Sequence, residues 1–231
     1  LSSAASDVYK RQQEYVADAA LVALMHNGEV CDMKTFQCPK VHKSFEERLT
    51  DLIAKIGENM NLRRAAMLEV SNGVIASYVH NACKPNLGKI GVLVALESNG
   101  DKAKLQELGK HIAMHVAASN PQFLTIADVD QASIDHEKAI FSEQAKASGK
   151  PENIIEKMVE GRIKKYFDEV VLEEQAYIMD PDKKVKQIVA DAAKEMGADI
   201  KLKAFVCFRL GEGLEKRNED FAAEVASQLK K

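Results

Sequence analysis

Apolar residues recur at helical spacing through much of this chain. The spacing predicts a helix at residues 14–25 that is apolar on every face and therefore buried, with Asn27-Gly28 as its C-cap. Ser44 and Glu47 form a capping box, which predicts a second helix that ends at Gly57. Five more helices are predicted, at residues 105–119, 133–147, 151–167, 185–196 and 220–229.

Strand patterns occupy the stretches between these helices. Residues 62–70 and 74–79 flank a Ser-Asn-Gly turn signal and predict a hairpin. Residues 90–96 are almost wholly apolar, which is typical of a central strand covered on both faces. Residues 200–210 alternate, which predicts a strand with one apolar face and one face wetted through Lys201, Lys203 and Arg209. The predicted class is α+β, with small antiparallel sheets and packed helices.

A tight junction links two of the charged helices. The sequence Ser148-Gly149-Lys150-Pro151 ends one helix with glycine and opens the next with proline. Helices joined this closely form an antiparallel hairpin, and we expect it to protrude from the rest of the fold. Its apolar side chains, such as Phe141 and Ile155, either hold the hairpin shut or contact a partner, and the pattern leaves both open.

Composition restricts the kinds of partner. The 231 residues are 46% hydrophobic and 29% charged, and their net charge of -3 argues against nucleic-acid binding through bulk positive potential. No apolar run reaches the length of a membrane span and no secretory signal is evident, so we expect a cytoplasmic protein with no membrane partner. The four scattered cysteines are expected to be reduced. Residues 1–12 show no clean period and are interpreted as a disordered or non-native tail.

Catalytic and cofactor motifs were not found. The sequence has no phosphate-binding P-loop, no dinucleotide fingerprint and no nucleophile elbow, so we expect neither an enzyme nor a bound cofactor. His111 and His115 have the spacing of two metal ligands on a helix, but the glutamate of a metalloprotease does not follow the first. A second set suits zinc by residue type but matches no common finger, so no metal is predicted and a zinc module is the weaker alternative; this set is His26, Cys31, Cys38 and His42.

His80 lies at a predicted strand end, before a loop that contains Pro85, Asn86 and Gly88. It is either a polar strand terminus or a recognition residue, since loops beside rigid strands often carry binding side chains. The pattern alone does not choose between the two.

Several longer stretches, taken together and in order, resemble the elongation factor Ts family. They are IGENMNLRR (56–64), SYVHN (77–81), KIGVLV (89–94), HIAMHVAA (111–118), SGKP (148–151), IEKMVEGR (155–162), FRLGEGLEK (208–216) and DFAAEV (220–225). The resemblance implies a factor that binds elongation factor Tu and promotes GDP release, with no covalent chemistry. It implies contacts to Tu from His80, Asn81 and Phe221, and a homodimer through the hairpin is a further expectation.

The resemblance also implies a division of the chain into modules. Beyond the tail at 1–12, these are the remainder of an N-terminal core subdomain (13–73), a C-terminal core subdomain (74–126 and 169–215), the helical hairpin (127–168) and a C-terminal helix module (216–231). The family also has an N-terminal helical domain and a Thr-Asp-Phe-Val motif, and neither is present here. The expectation is therefore an N-terminally truncated factor, and the alternative function is Tu binding with little exchange activity.

Overall fold

A computed structural model describes residues 2–38, 42–146 and 151–213 of the chain. The helices are α1 (Ser2–Met25), α2 (Val30–Thr35), α3 (Phe45–Ile56), α4 (Lys102–Ser119), α5 (Gln131–Lys146), α6 (Glu152–Val170) and α7 (Val185–Met196). The strands are β1 (Gln37–Cys38), β2 (Lys43–Ser44), β3 (Gly73–His80), β4 (Ile90–Ser98), β5 (Ala176–Tyr177), β6 (Asp180–Lys184) and β7 (Ile200–Arg209). Short 3-10 turns occupy Ile126–Asp128 and Leu172–Glu174. All the strand pairs are antiparallel, which confirms the predicted α+β class.

The main sheet has the strand order β3-β4-β7. Helix α4 packs across one face, and the apolar residues of β4 lie in the middle of the largest hydrophobic core. Gly109 lets α4 approach β3 closely, because a Cβ at this position would lie only 2.6 Å from the Cβ of Ala76 on β3. The paired residues His80, Ile90 and Arg209 place the end of β3, the start of β4 and the end of β7 at one end of the sheet.

The simple alternation predicted for residues 200–210 is wrong. The register between β4 and β7 shifts at Ala95/Leu96, so Leu96 pairs with Leu202 while Ala95 pairs with Ala204. A bulge of this kind inserts an extra residue and turns the side chains that follow to the opposite face. As a result Leu202, Phe205 and Cys207 all contribute to the main core, although they do not share one parity.

The strand predicted at residues 62–70 is also wrong. Residues 57–72 contain no regular secondary structure, and β3 begins at Gly73 without a preceding hairpin partner among the described residues. We call residues 57–72 the strap. Its apolar side chains pack on a second hydrophobic cluster formed by α1, α2 and α3, so their burial is satisfied without strand pairing; they include Met60, Leu62 and Ala65.

Helix α1 starts earlier in the chain than predicted, and it is buried on fewer sides than predicted. It begins at Ser2, so residues 2–12 continue the helix and do not form the irregular tail expected from their sequence. It is buried on one side only, through Tyr15, Ala19, Val22 and Ala23. Leu21, Leu24 and Met25 are 62–65% exposed, because α2 and α3 cover the opposite side of the helix.

Helices α5 and α6 lie within the predicted hairpin at 127–168, and they pack chiefly against each other. Two backbone hydrogen bonds close its base: Gln122 N donates to Val170 O (2.8 Å) and Leu172 N donates to Phe123 O (2.8 Å). The junction at 147–150 and the predicted module at 216–231 lie outside the described residues. The module boundaries therefore remain predictions.

An internal repeat relates the strap to β7. Helices α3 and α7 both have 12 residues and end at a left-handed glycine, Gly57 or Gly197. Lys43 pairs with Asp51 at 2.5 Å, and Lys183 pairs with Asp191 at 2.8 Å, so the equivalent positions are 140 residues apart. At the same offset, residues 60–70 of the strap correspond to residues 200–210, which include β7. The strap is thus the counterpart of β7. Among the described residues, β7 pairs with a neighbouring strand and the strap does not.

Candidate functional site

The candidate site is the end of the main sheet at which β3 ends, β4 begins and β7 ends. We call this region the distal end; it consists of His80, Asn81, the loop 82–89, Leu210 and Glu212. His80 and Asn81, for which the resemblance implies contacts to a partner, are both exposed there. Phe221, the third predicted contact, lies outside the described residues.

The side chain of His80 is held from within the sheet. The Tyr78 hydroxyl lies 3.1 Å from Nδ1 of His80, and the two rings are 6.1 Å apart. Tyr78 itself packs against the main core, so a core residue restrains an exposed imidazole. The contact occupies one of the two ring nitrogens, and an imidazole with a fixed orientation loses little entropy when a partner binds it.

The loop 82–89 folds back on β3. Asn81 adopts the left-handed conformation (φ 50°) in which the chain turns, and Lys89 N donates to His80 O (3.2 Å) to close the loop. The loop can lie this close to β3 only with glycine at position 88, because a Cβ there would lie 2.5 Å from Val79 Cγ1 and 2.7 Å from His80 O. The loop borders an open depression of about 420 Å³ whose rim includes Lys84 and Lys110. Such a shallow, positively charged surface suits contact with another macromolecule better than enclosure of a small ligand.

The end of β7 completes this surface. Arg209 turns inward, where Nη2 donates to Ala117 O (2.7 Å) and Nε donates to Asn120 Oδ1 (2.9 Å), so its charge caps the C-terminus of α4. Leu210 follows and is 78% exposed, while its backbone N donates to Lys89 O (2.9 Å). Sequence reasoning placed Leu210 on the apolar face of its strand and missed it as a surface residue. Leu210 lies just beyond the last residue of β7, in the turn that follows, and no signal in the alternation of residues 200–210 marks where the strand ends.

Two of the residues weighed as metal ligands, His115 and His26, have other contacts in the fold. His115 is fully buried, with Nε2 2.8 Å from Gln175 Oε1 and Nδ1 accepting from Ile178 N at 3.3 Å. Both ring nitrogens are therefore used inside the core, and burial lowers the pKa of this imidazole. His26 packs edge-on against Phe36 in the N-terminal cluster. Within the described part of the chain, no three His, Cys, Asp or Glu side chains are grouped as metal ligands would be.

None of the helices in the described ranges is both long and apolar enough to cross a membrane.

Comparison with known proteins gives a consistent assignment. The Elongation factor TS family model matches residues 4–212. The elongation factor Ts of Rhodospirillum centenum is 53% identical over 215 residues, which cover 93% of this chain and 70% of that protein. That of Paramagnetospirillum magneticum is 55% identical over 216 residues, or 94% of this chain and 69% of that protein. That of Caulobacter vibrioides is 58% identical over 185 residues, or 80% of this chain and 59% of that protein. The chain therefore belongs to the elongation factor Ts family of translation factors.

Proposed function

We propose that this chain binds elongation factor Tu and promotes the release of GDP from it. The observation that carries the proposal is the distal end of the sheet, where a family motif, SYVHN at 77–81, forms an exposed and restrained surface beside Leu210. Family membership supplies the identity of the partner, since relatives that cover most of this chain carry the name elongation factor Ts.

The proposed activity requires no covalent chemistry. A factor that binds the nucleotide-free form of Tu more tightly than the GDP-bound form lowers the affinity of Tu for GDP, and linkage requires GDP to weaken the factor's own binding by the same ratio. Contacts that are equally good in both states shift nothing. The factor must therefore present a rigid surface that fits only one state. A three-stranded sheet packed on α4, with His80 and the loop 82–89 fixed to its end, has that rigidity.

Calorimetric titration against nucleotide-free Tu from Paramagnetospirillum magneticum tests the binding step. We expect His80→Ala to weaken binding by about 1–2 kcal/mol, which is roughly fivefold to thirtyfold, because it removes an exposed side chain that the core already orients. His136→Ala is the matched control, since His136 is an exposed histidine on α5 and is not one of the residues that form the distal end. Equal affinities for the wild type and His80→Ala, with overlapping melting curves, would show that His80 is only a polar strand terminus.

A second candidate function is binding to Tu without exchange. The observation in its favour is that the Thr-Asp-Phe-Val motif of the family does not occur in the sequence, whose one Asp-Phe pair is Asp220-Phe221. The two functions share the binding step and differ in the rate of GDP release at saturating factor. A homodimer through α5 and α6 is a separate prediction, which sedimentation of the purified chain would test.

A further inference from the structure

Leu210 is a large apolar residue that is 78% exposed, in the turn that follows β7. Single exposed leucines are common on protein surfaces and usually need no functional explanation. Leu210 differs from them, because its backbone and the residues on both sides of it are attached to three other parts of the chain: the loop before β4, the end of α4 and the strap. The structure therefore fixes the position of a side chain that is itself left in water.

The first attachments hold the chain at Leu210 and just before it. Arg209 Nη2 donates to Ala117 O (2.7 Å) and Nε donates to Asn120 Oδ1 (2.9 Å), which joins the end of the strand to the C-terminus of α4. Leu210 N donates to Lys89 O (2.9 Å), which joins the turn to the loop before β4. These bonds fix the backbone at the point where the Leu210 side chain leaves it.

The strap holds the chain on both sides of Leu210, through contacts that we call the clamp. Arg63 Nη1 donates to the backbone carbonyl of Glu212, and Arg64 Nη2 donates to the Glu212 carboxylate. The Arg64 guanidinium also lies over the ring of Phe208, 4.9 Å from its centroid. The hydrogen bond from Arg64 holds the pKa of Glu212 below its usual value, so this carboxylate is charged at neutral pH. The clamp thus contacts the residues two positions before and two positions after Leu210.

The turn between these attachments is itself closed. Glu212 N donates to Arg209 O (3.2 Å), which is the hydrogen bond of a β-turn with Leu210 and Gly211 in the middle. Gly211 adopts a left-handed conformation (φ 76°), which glycine supplies without steric cost. The backbone of the turn therefore has a defined conformation before any partner binds.

Stabilisation of the fold is a weak explanation for these contacts. The Arg64 and Glu212 side chains are 46% and 37% exposed, and ion pairs this exposed contribute little to the free energy of unfolding. An exposed leucine adds little to the core either. Binding is the better explanation, because a side chain with a fixed backbone loses little conformational entropy when a partner covers it.

Leu210 also lies near His80 in the sheet. Lys89 N donates to His80 O and Lys89 O accepts from Leu210 N, so Lys89 lies between the two residues. Neighbouring strands are about 4.8 Å apart, which places the backbones of His80 and Leu210 about 10 Å apart. A single protein interface of ordinary size covers both positions.

We infer that Leu210 is an apolar anchor that Tu covers when it binds at His80, and that Arg64 and Glu212 are positioning residues that hold this anchor in place. This inference rests on the proposed function. Covering the leucine removes apolar surface from water, which favours the complex. Without the clamp the turn adopts further conformations, and the apparent affinity falls in proportion to the fraction that can still bind.

Calorimetric titration against nucleotide-free Tu tests the anchor. We expect Leu210→Ala to weaken binding at least about fivefold, because it removes apolar surface that Tu covers. Leu24→Ala is the matched control and should change the affinity by less than about twofold, since Leu24 is 62% exposed on α1 and is not one of the residues that form the distal end. A wild-type affinity for Leu210→Ala, or an equal loss in both variants, would overturn the inference. A wild type that does not bind Tu would contradict the proposed function, and the inference would fall with it.

A double-mutant cycle tests the positioning role of Glu212. We expect Glu212→Ala to weaken binding to Tu about threefold to tenfold, because the turn is less well held. In a chain that already carries Leu210→Ala, the same substitution should change the affinity by less than about twofold, since no anchor remains to be positioned. Glu212→Gln keeps an oxygen that can accept from Arg64 and should recover most of the loss. The same factor in both backgrounds would show that Glu212 acts independently of Leu210 and would overturn its positioning role.

Amide hydrogen exchange provides a readout that needs no Tu. The amides of Leu210 and Glu212 both donate to backbone carbonyls, so their exchange requires the turn to open. We expect Glu212→Ala to speed the exchange of these two amides at least about fivefold in the free protein. Glu97→Ala is the matched control, because it removes another partly exposed ion pair, Lys203 to Glu97 at 2.6 Å, at the opposite end of the same sheet. Unchanged exchange in Glu212→Ala would show that the clamp does not hold the turn and would contradict the positioning role.

Discussion

Single residues set how closely the layers of the main core approach each other. His115 and Gly109 lie on the buried side of α4, one bonded to Gln175 and the other pressed against Ala76 on β3. Periodicity predicted the helix that carries both residues, but it could not predict these contacts. A histidine four residues from another histidine has the same spacing whether it binds a metal or a buried glutamine.

Protonation of His115 should destabilise the folded protein. Its pKa lies below the ordinary value of 6.5 because of burial, so the unfolded chain takes up the proton first as the pH falls. The stability is therefore fully present above about pH 6.5 and is lost as the pH falls from there toward the folded-state pKa. We expect urea unfolding of the wild type to lose more free energy between pH 7.5 and 5.5 than that of His115→Gln, in which this titration is removed. Equal losses in the two proteins would show that His115 does not drive the change.

Two glycine substitutions should have opposite effects on stability. Gly109→Ala places a Cβ 2.6 Å from the Cβ of Ala76, and such overpacking destabilises a core by about 1–3 kcal/mol. Gly161→Ala is the matched control on α6, where a new Cβ meets no atom within 4 Å and the gain in helix propensity approaches about 1 kcal/mol. Chemical denaturation measures both. A stabilised Gly109→Ala would mean that α4 and β3 can separate without loss of packing.

Whole elements were predictable wherever their burial follows from their own sequence. The capping box at Ser44 and the left-handed glycine at Gly57 bound α3 as expected, and the apolar run of β4 is central in its sheet. The strand predicted at residues 62–70 was wrong because a strand needs a neighbouring strand to pair with. A sequence pattern does not show whether such a neighbour exists, and the described residues contain none for the strap. The simple alternation predicted for residues 200–210 was wrong for a similar reason, since the bulge in β7 depends on the register against β4.

The hairpin formed by α5 and α6 should be dispensable for the rest of the fold. Its helices pack mainly on each other, and the hydrogen bonds of Gln122 and Leu172 bring the two ends of the excursion together. We therefore expect that replacing residues 131–168 with a short glycine-serine linker preserves cooperative unfolding. The loss of the Lys184–Asp168 ion pair, which is partly exposed, should cost less than about 1 kcal/mol. Thermal melting followed by circular dichroism checks this, and a non-cooperative melt would show that the hairpin supports the core.

At the scale of the whole molecule, function depends on surfaces that separate parts of the chain build together. The resemblance correctly indicated the family, and it singled out His80 and Asn81, which the fold places side by side at the distal end of the sheet. The exposure of Leu210 and the contacts of Arg63 and Arg64 with Glu212 could not be predicted in the same way. Both depend on contacts between the residues around the end of β7 and residues from distant parts of the sequence, and a local sequence pattern does not predict such contacts.

The central claim is that this chain binds Tu and speeds the release of its GDP. The most direct measurement is the rate at which a fluorescent GDP leaves Tu of Paramagnetospirillum magneticum, with saturating amounts of this chain and with none. We predict release clearly faster than the spontaneous rate, as the proposed exchange function requires. A release rate equal to the spontaneous one, at concentrations where calorimetry shows Tu to be saturated, would contradict the claim of exchange and leave a Tu-binding protein.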